Sequence, residues 1–288
     1  MDGIINLYKP PGITSHTAVA KVRRILQMKK VGHTGTLDPD AQGVLPICLG
    51  KGTKVSGMLT DTDKAYRAVI RFGVTTDTQD MSGTILTQCT PSVSQEALLG
   101  ILPQFTGEIK QIPPMYSAVK ISGKKLYELA RQGMEVERQP RTITIFDLQL
   151  VDFSGDHATL NVSCSKGTYI RTLCHDIGQA LGCGAAMEHL TRTRSGMFRL
   201  EDSVTLETLE QEPSPHIIPV DKLFAKYPAY QVGAKQERLV VNGVSVYAAK
   251  AKTGQTYRIY NESGTFLCLS TGVELDGKQC LKLTKAFY

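Results

Sequence analysis

The sequence predicts an α+β fold: a mixed, largely antiparallel central sheet flanked by helices, followed by a small all-β barrel or sandwich. Three observations carry this reading. Strand-like and helix-like runs follow one another without a regular βαβ repeat. A cluster of breakers, Glu212-Pro213-Ser214-Pro215 with Pro219 and Pro228, suggests a boundary near residues 212–228. Beyond it, Asn242-Gly243, Thr253-Gly254, Glu262-Ser263-Gly264 and Asp276-Gly277 punctuate short alternating runs, as in small β domains.

The elements follow in order. Residues 4–9 read as a short strand stopped by Pro10-Pro11-Gly12. Ser15 stands where a helix N-cap belongs, and Ala18, Val19, Val22, Ile25 and Leu26 then recur at helical spacing. Residues 31–57, rich in Gly, Thr and Pro, read as a long structured loop with short strand pieces. Tyr66, Ala68, Ile70 and Phe72 alternate with Arg67, Val69 and Arg71, which is the period of a strand. Helices are predicted over 94–102 and 123–132, the second closed by Gly133. Strands follow over 141–151 and 158–164. After the Lys166-Gly167-Thr168 turn, Ile170, Leu173, Ile177, Ala180 and Leu181 mark a further helix ended by Gly182.

Composition excludes several classes. Of the 288 residues 41% are hydrophobic, which suits a buried core and argues against disorder. No apolar run approaches the ~18 residues of a membrane span. Met1-Asp2-Gly3-Ile4-Ile5-Asn6 has no basic region followed by an apolar one, so no signal peptide is read. Seven scattered cysteines include no Cys-x-x-Cys pair, which argues against a disulfide framework or zinc ribbon and for the reducing cytoplasm. The net charge is +6, and residues 229–288 hold eight Lys/Arg against four Asp/Glu, so +4 of it lies in the tail. That asymmetry suits a polyanionic partner.

Cofactor motifs are missing. Gly50-Lys51-Gly52-Thr53 lacks the upstream glycine of a phosphate-binding loop. Asp61 and Asp63 begin like a calcium loop, but Ala65 and Tyr66 break it. His175 and His189 have no ligand spacing, so no metal and no cofactor is expected. The densest segment is Gly32-His33-Thr34-Gly35-Thr36-Leu37-Asp38-Pro39, where Asp38 is the sole carboxylate from Gln27 to Pro39. From the residues alone, Asp38 before Pro39 suits either a turn-initiating aspartate or a reactive carboxylate.

That segment with Gly43-Val44-Leu45-Pro46 resembles the catalytic loop of the TruB family of tRNA pseudouridine synthases. Five further segments are similar to family motifs and stand in family order over about residues 3–200. They are Lys9-Pro10-Pro11-Gly12-Ile13-Thr14-Ser15, Asp63-Lys64-Ala65-Tyr66, Pro113-Pro114-Met115-Tyr116-Ser117-Ala118-Val119-Lys120, Gly167-Thr168-Tyr169-Ile170-Arg171-Thr172-Leu173 and Leu190-Thr191-Arg192-Thr193-Arg194-Ser195-Gly196. Asp40-Ala41-Gln42 stands where the family often has Leu-Ala-Thr, and Met197 where proline is common.

The resemblance implies a pseudouridine synthase domain over residues 1–225 and a PUA-like RNA-binding domain over 229–288. It implies isomerisation of uridine-55 in the T-arm loop of tRNA, by an enzyme that needs no cofactor. Asp38 is then the nucleophile, Arg171 its partner, and Tyr66 the stacking ring and candidate base for the C5 proton. His33 would fill the space left by the flipped base. Lys64, Tyr169 and Leu190 would line the site, and Lys9, Lys29 and Lys30 would meet phosphates. The expected partner is tRNA, with no membrane, no obligate protein partner and a monomeric enzyme. A non-catalytic tRNA-folding factor and a guide-RNA-dependent relative are the competing expectations.

Overall fold

The computed structural model describes residues 1–121 and 123–288. In chain order the strands are β1 (Gly3–Lys9), β2 (Val31–His33), β3 (Gln42–Leu49), β4 (Lys64–Phe72), β5 (Val74–Thr76), β6 (Ile85–Gln88), β7 (Gly107–Gln111), β8 (Lys120–Ile121), β9 (Lys124–Lys125), β10 (Arg141–Phe153), β11 (His157–Cys164), β12 (Ala185–Ser195), β13 (Phe198–Arg199), β14 (Ala229–Gln231), β15 (Val246–Tyr247), β16 (Thr256–Tyr260), β17 (Phe266–Leu275) and β18 (Lys278–Ala286). The helices are α1 (Ser15–Leu26), α2 (Ser56–Thr60), α3 (Gln95–Ile101), α4 (Leu126–Ala130), α5 (Ile170–Ala180), α6 (Leu206–Gln211) and α7 (Ala234–Val241).

Among the described residues the larger sheet has the order β1-β3-β12-β4-β11-β10-β7, with β2 beside β3 and β13 beside β12. Its ladders are antiparallel apart from the parallel contact of β3 with β12. It is the mixed, largely antiparallel sheet that the element order predicts. Strict alternation sets the faces: Ala158, Leu160, Val162 and Cys164 of β11 are buried, and their neighbours are half-exposed. The buried faces of α1 and α5, including Val19, Val22, Leu173 and Ile177, pack with these strands in one core.

Pro46 inside β3 is accommodated by a change of neighbour. On one edge β3 pairs with β12 only at Gln42 and Gly43, and with β2 only at Ile47–Leu49. The Pro46 carbonyl accepts from the Thr34 N–H on that edge, so the ring nitrogen faces the gap between the two ladders.

The C-terminal segment is a curled five-stranded sheet in the order β14-β16-β17-β18-β15. Its own core gathers Val232, Val240, Ile259 and Leu281. A second cluster, with Ile4, Val44 and Phe198 on one side and Leu269 and Phe287 on the other, packs the two sheets together through Val220 and Phe224.

Several elements depart from expectation. The N-cap of α1 is Thr14, whose side chain accepts from the Thr17 N–H. Ser15 is buried instead and bonds Leu37. The helix predicted over 123–132 contracts to α4 and stops before Gly133, whose φ is +70°. β12, a central strand, was not predicted, because its Thr-Arg-Thr-Arg run hides a buried arginine among polar residues. The helix α7 within the β-rich tail was not predicted either.

Candidate active site

Asp38 lies on the loop between β2 and β3, and the loop is fastened by its backbone. The Ser15 hydroxyl accepts from the Leu37 N–H at 2.9 Å and donates to the Leu37 carbonyl at 3.0 Å. Helix α1 is thereby tied to the residue before Asp38. Lys9 donates to the carbonyls of Pro39 at 2.9 Å and Ala41 at 2.7 Å, and to its neighbour Pro10 at 2.9 Å. Arg192 donates from Nε to the Val44 carbonyl at 2.6 Å and from Nη2 to the Gly35 carbonyl at 3.2 Å. Gly43 permits this close passage: a Cβ there would stand 2.3 Å from the Arg192 carbonyl oxygen, at a φ of +104°.

Arg171, in the first turn of α5, is brought to Asp38 across the sheet. Its Nε is 3.1 Å from Asp38 Oδ2. Its Nη1 lies 3.3 Å from Asp80 Oδ2 and 3.3 Å from the Thr78 carbonyl, and its Nη2 donates to the Tyr116 carbonyl at 2.9 Å. Asp80, on the β5–β6 loop, accepts at Oδ1 from the Thr78 and Ser82 hydroxyls, which leaves Oδ2 aimed at the arginine. One guanidinium thus links two carboxylates from different elements. The start of α5 is fixed by buried Gln111, which bonds both the N–H and the carbonyl of Tyr169.

Burial pushes the Asp38 carboxyl above its ordinary value. The Arg171 cation opposes this, and the Asp80 charge adds to it. The side chain still keeps 39% of its surface open, so it is enclosed on most sides and reachable from one. Burial likewise raises the Tyr66 phenol, with the Arg192 cation beside it pulling the other way. Tyr66 is half-buried on the core face of β4, and the Asp38 charge also acts on its phenol. Burial lowers the His33 imidazole below its ordinary value, with neighbouring His16 and the Arg192 cation adding to that effect. Its Nδ1 accepts from the Gly35 N–H at 3.3 Å, which places the ring proton on Nε2. Tyr169 is half-buried at the N-cap of α5, and Leu190 is buried in β12 opposite Ala68.

Two expectations need correction. Lys9 has no surface exposed and its ammonium is held by three carbonyls, so it is a loop fastener and not a phosphate contact. Lys64 is buried too, and its ammonium donates to the Thr60 and Thr62 carbonyls, so it does not line the site as a free cation. Lys29 and Lys30 are exposed. Asp80, Arg192 and Gln111 were not anticipated as site residues. The only trace of Asp80 in the sequence is the polar run Thr75-Thr76-Asp77-Thr78-Gln79-Asp80. Among the described residues no group of three or more His, Cys, Asp or Glu side chains is placed to hold a metal ion, and no helix is long and apolar enough to cross a membrane.

Replacing Lys9 with Met leaves those three carbonyls without their charged donor. The expected cost is about 3 kcal/mol in urea unfolding at neutral pH. Burial lowers the Lys9 ammonium to about 8, against 10.5 for an ordinary lysine. Between those values the folded chain sheds the proton before the unfolded one, so the contribution of this residue to stability rises with pH there. A Met variant as stable as the parent removes the fastening role.

The model of the TruB family pseudouridylate synthase N-terminal domain matches residues 23–170, and that of the tRNA pseudouridylate synthase B C-terminal domain matches 171–225. Relatives named tRNA pseudouridine synthase B include one from Alkaliphilus oremlandii, 48% identical over 86% of this chain and 84% of its own. Another, from Clostridium acetobutylicum, is 46% identical over 98% of this chain and 99% of its own. Among solved structures, a Cbf5–Nop10–Gar1 complex matches with a TM-score of 0.71 and 30% identity, covering 99% of this chain and 85% of that one. An H/ACA RNP bound to a substrate RNA containing 2′-deoxyuridine matches with a TM-score of 0.71 and 27% identity, over 99% and 85% of the two chains. With the family models running from residue 23 to 225 and sequence identity extending along nearly the whole length, this chain belongs to the TruB family of pseudouridylate synthases.

Proposed function

We propose that the chain isomerises uridine to pseudouridine at position 55, in the T-arm loop of tRNAs. The observation that carries this reading is the Asp38–Arg171 pair at 3.1 Å, with Tyr66 beside it, in a member of this family. The reaction breaks the C1′–N1 bond of the uridine, turns the uracil and joins C5 to C1′. The C5 proton leaves and N1 gains one, so no oxidant and no water is consumed. The substrate base must swing out of the RNA loop, at a cost of a few kcal/mol that stacking and polar contacts offset.

Asp38 acts as the nucleophile, at the sugar carbon or at the base ring, and must be ionised to do so. Arg171 fixes the carboxylate and favours its charge. The Tyr66 ring stacks on the uracil. Its phenol is held protonated by burial, so a role in taking the C5 proton depends on the opposing Arg192 cation. His33 occupies the space that the flipped base leaves, and Tyr169 and Leu190 border the uracil. Residues 1–225 form the catalytic domain and 229–288 a PUA-like RNA-binding one. The tail exposes Lys235, Arg238, Lys250, Lys252, Lys278 and Lys282, which with Lys29 and Lys30 supply phosphate contacts. The enzyme works as a monomer in the cytoplasm, without an obligate protein partner.

The decisive experiment incubates purified protein with an unmodified tRNA transcript and maps pseudouridine by chemical labelling and primer stops. Conversion at one uridine of the T-loop is the expected result, and an unmodified transcript refutes the reading. Because Asp38 is raised above the ordinary carboxylate value of 3.8, the acid limb of single turnover is expected above that value. A pH–rate profile with its limb at or below it removes Asp38 as the titrating group.

A further inference from the structure

Arg192 and Lys9 are the largest side chains withdrawn from solvent, and Arg192 is 1% exposed. Among the described residues no carboxylate lies within ion-pair distance of the Arg192 guanidinium. A buried cation in that situation costs stability that an apolar side chain of similar volume would not. The guanidinium is surrounded by backbone oxygens instead. It holds the Gly35 carbonyl at 3.2 Å and reaches the Thr36 carbonyl at 3.5 Å, both on the N-terminal side of Asp38. It also holds the Val44 carbonyl at 2.6 Å on the C-terminal side. Across the β12–β4 ladder Arg192 is the partner of Tyr66, and its cation acts on the Tyr66 phenol.

We propose that Arg192 is a positioning residue for the isomerisation, which locks the loop bearing Asp38 and the hydroxyl of Tyr66 into one register. This inference rests on the proposed function of the same site. The planar fork is suited to the task because several N–H groups diverge from one rigid plane and reach both flanks of the loop at once. A lysine has the charge without the spread. Arg192 and Tyr66 are also partners across the ladder, so a shift of the guanidinium is felt at the phenol as well as along the loop. Arg171 sets the carboxylate, and Arg192 sets the backbone beneath it.

The test uses the full chain and a tRNA transcript, with Arg192→Lys and Arg192→Gln made in the parent and Arg192→Lys also made with Tyr66→Phe. Single-turnover rate at saturating tRNA, tRNA affinity and urea unfolding are measured for each. Expected for Arg192→Lys is a cooperative unfolding transition, affinity within about threefold of the parent, and a rate about 100-fold lower, as for a misplacement near 1 Å. The loss on Arg192→Lys is smaller in the Tyr66→Phe background, because the hydroxyl it holds is already gone. A parental rate in Arg192→Lys overturns the proposal, as does a loss confined to affinity. So does a loss of equal size in both backgrounds. Failure of both Arg192 variants to fold overturns it as well, in favour of a purely structural cation. A wild-type chain that leaves the transcript unmodified refutes the proposed function instead, whatever Arg192 does.

Discussion

Replacing Asp38 with Asn is expected to lower single-turnover formation of pseudouridine by roughly 10⁴-fold or more, the scale of losing a nucleophile. The amide has nearly the shape of the carboxylate but neither its charge nor its nucleophilicity. The loop is held by Ser15, Lys9 and Arg192 through backbone atoms, so the exchange leaves its path unchanged. Arg171 keeps Asp80 as an ion-pair partner. Affinity for tRNA is therefore expected to stay within about threefold of the parent, since phosphate contacts dominate it. Gel-shift titration and chemical mapping of the same transcript separate the two quantities. Full turnover in Asp38→Asn would end the assignment of this carboxylate as nucleophile.

Arg171→Lys has the second largest expected effect. The guanidinium serves Asp38, Asp80 and the carbonyls of Thr78 and Tyr116 together. A single ammonium cannot reach all four, and a partly buried carboxylate is then left without its cation. The expected outcome is a turnover rate about 100-fold lower from mispositioning. It comes with about 3 kcal/mol lower stability from the broken ion pair. Urea unfolding reads the second figure. A variant with parental rate and stability would show that a guanidinium linking Asp38 to Asp80 is dispensable.

Much of the larger sheet was legible, because its strands and helices bury regular faces. Ala68, Ile70 and Phe72 announce β4, and Leu173 and Ile177 announce α5. What stayed hidden depends on distant partners. Ser15 reads as a helix cap, yet Thr14 caps and Ser15 is claimed by Leu37, 22 residues on. Lys9 reads as a solvent-facing lysine because nothing local reveals that the carbonyls of Pro39 and Ala41 close over it. β12 was missed for the same reason. Arg192 looks like surface charge until the carbonyls of Gly35 and Val44, about 150 positions away in the chain, are seen to collect around it. Asp38 and Arg171 entered through the family resemblance, since an aspartate before proline and an arginine in a helix's first turn are ambiguous alone. Asp80 had no such guide: which of Asp77 and Asp80 meets Arg171 is set by how the β5–β6 loop folds back.

The loop around Asp38 is moored through its peptide oxygens, and this bears on how the sequence is free to drift. Main-chain oxygens are common to all residue types, so a grip on them does not dictate which side chains stand there. Asp40-Ala41-Gln42 can therefore replace the more usual Leu-Ala-Thr without unseating the nucleophile, and Gln42 has taken up neighbours of its own in Tyr8 and Thr191. Saturation libraries at the exposed Thr36 and Asp40 should retain far more active clones than libraries at Ser15, Lys9 or Arg192. The heritable constraint sits in the moorings, outside the segment they secure.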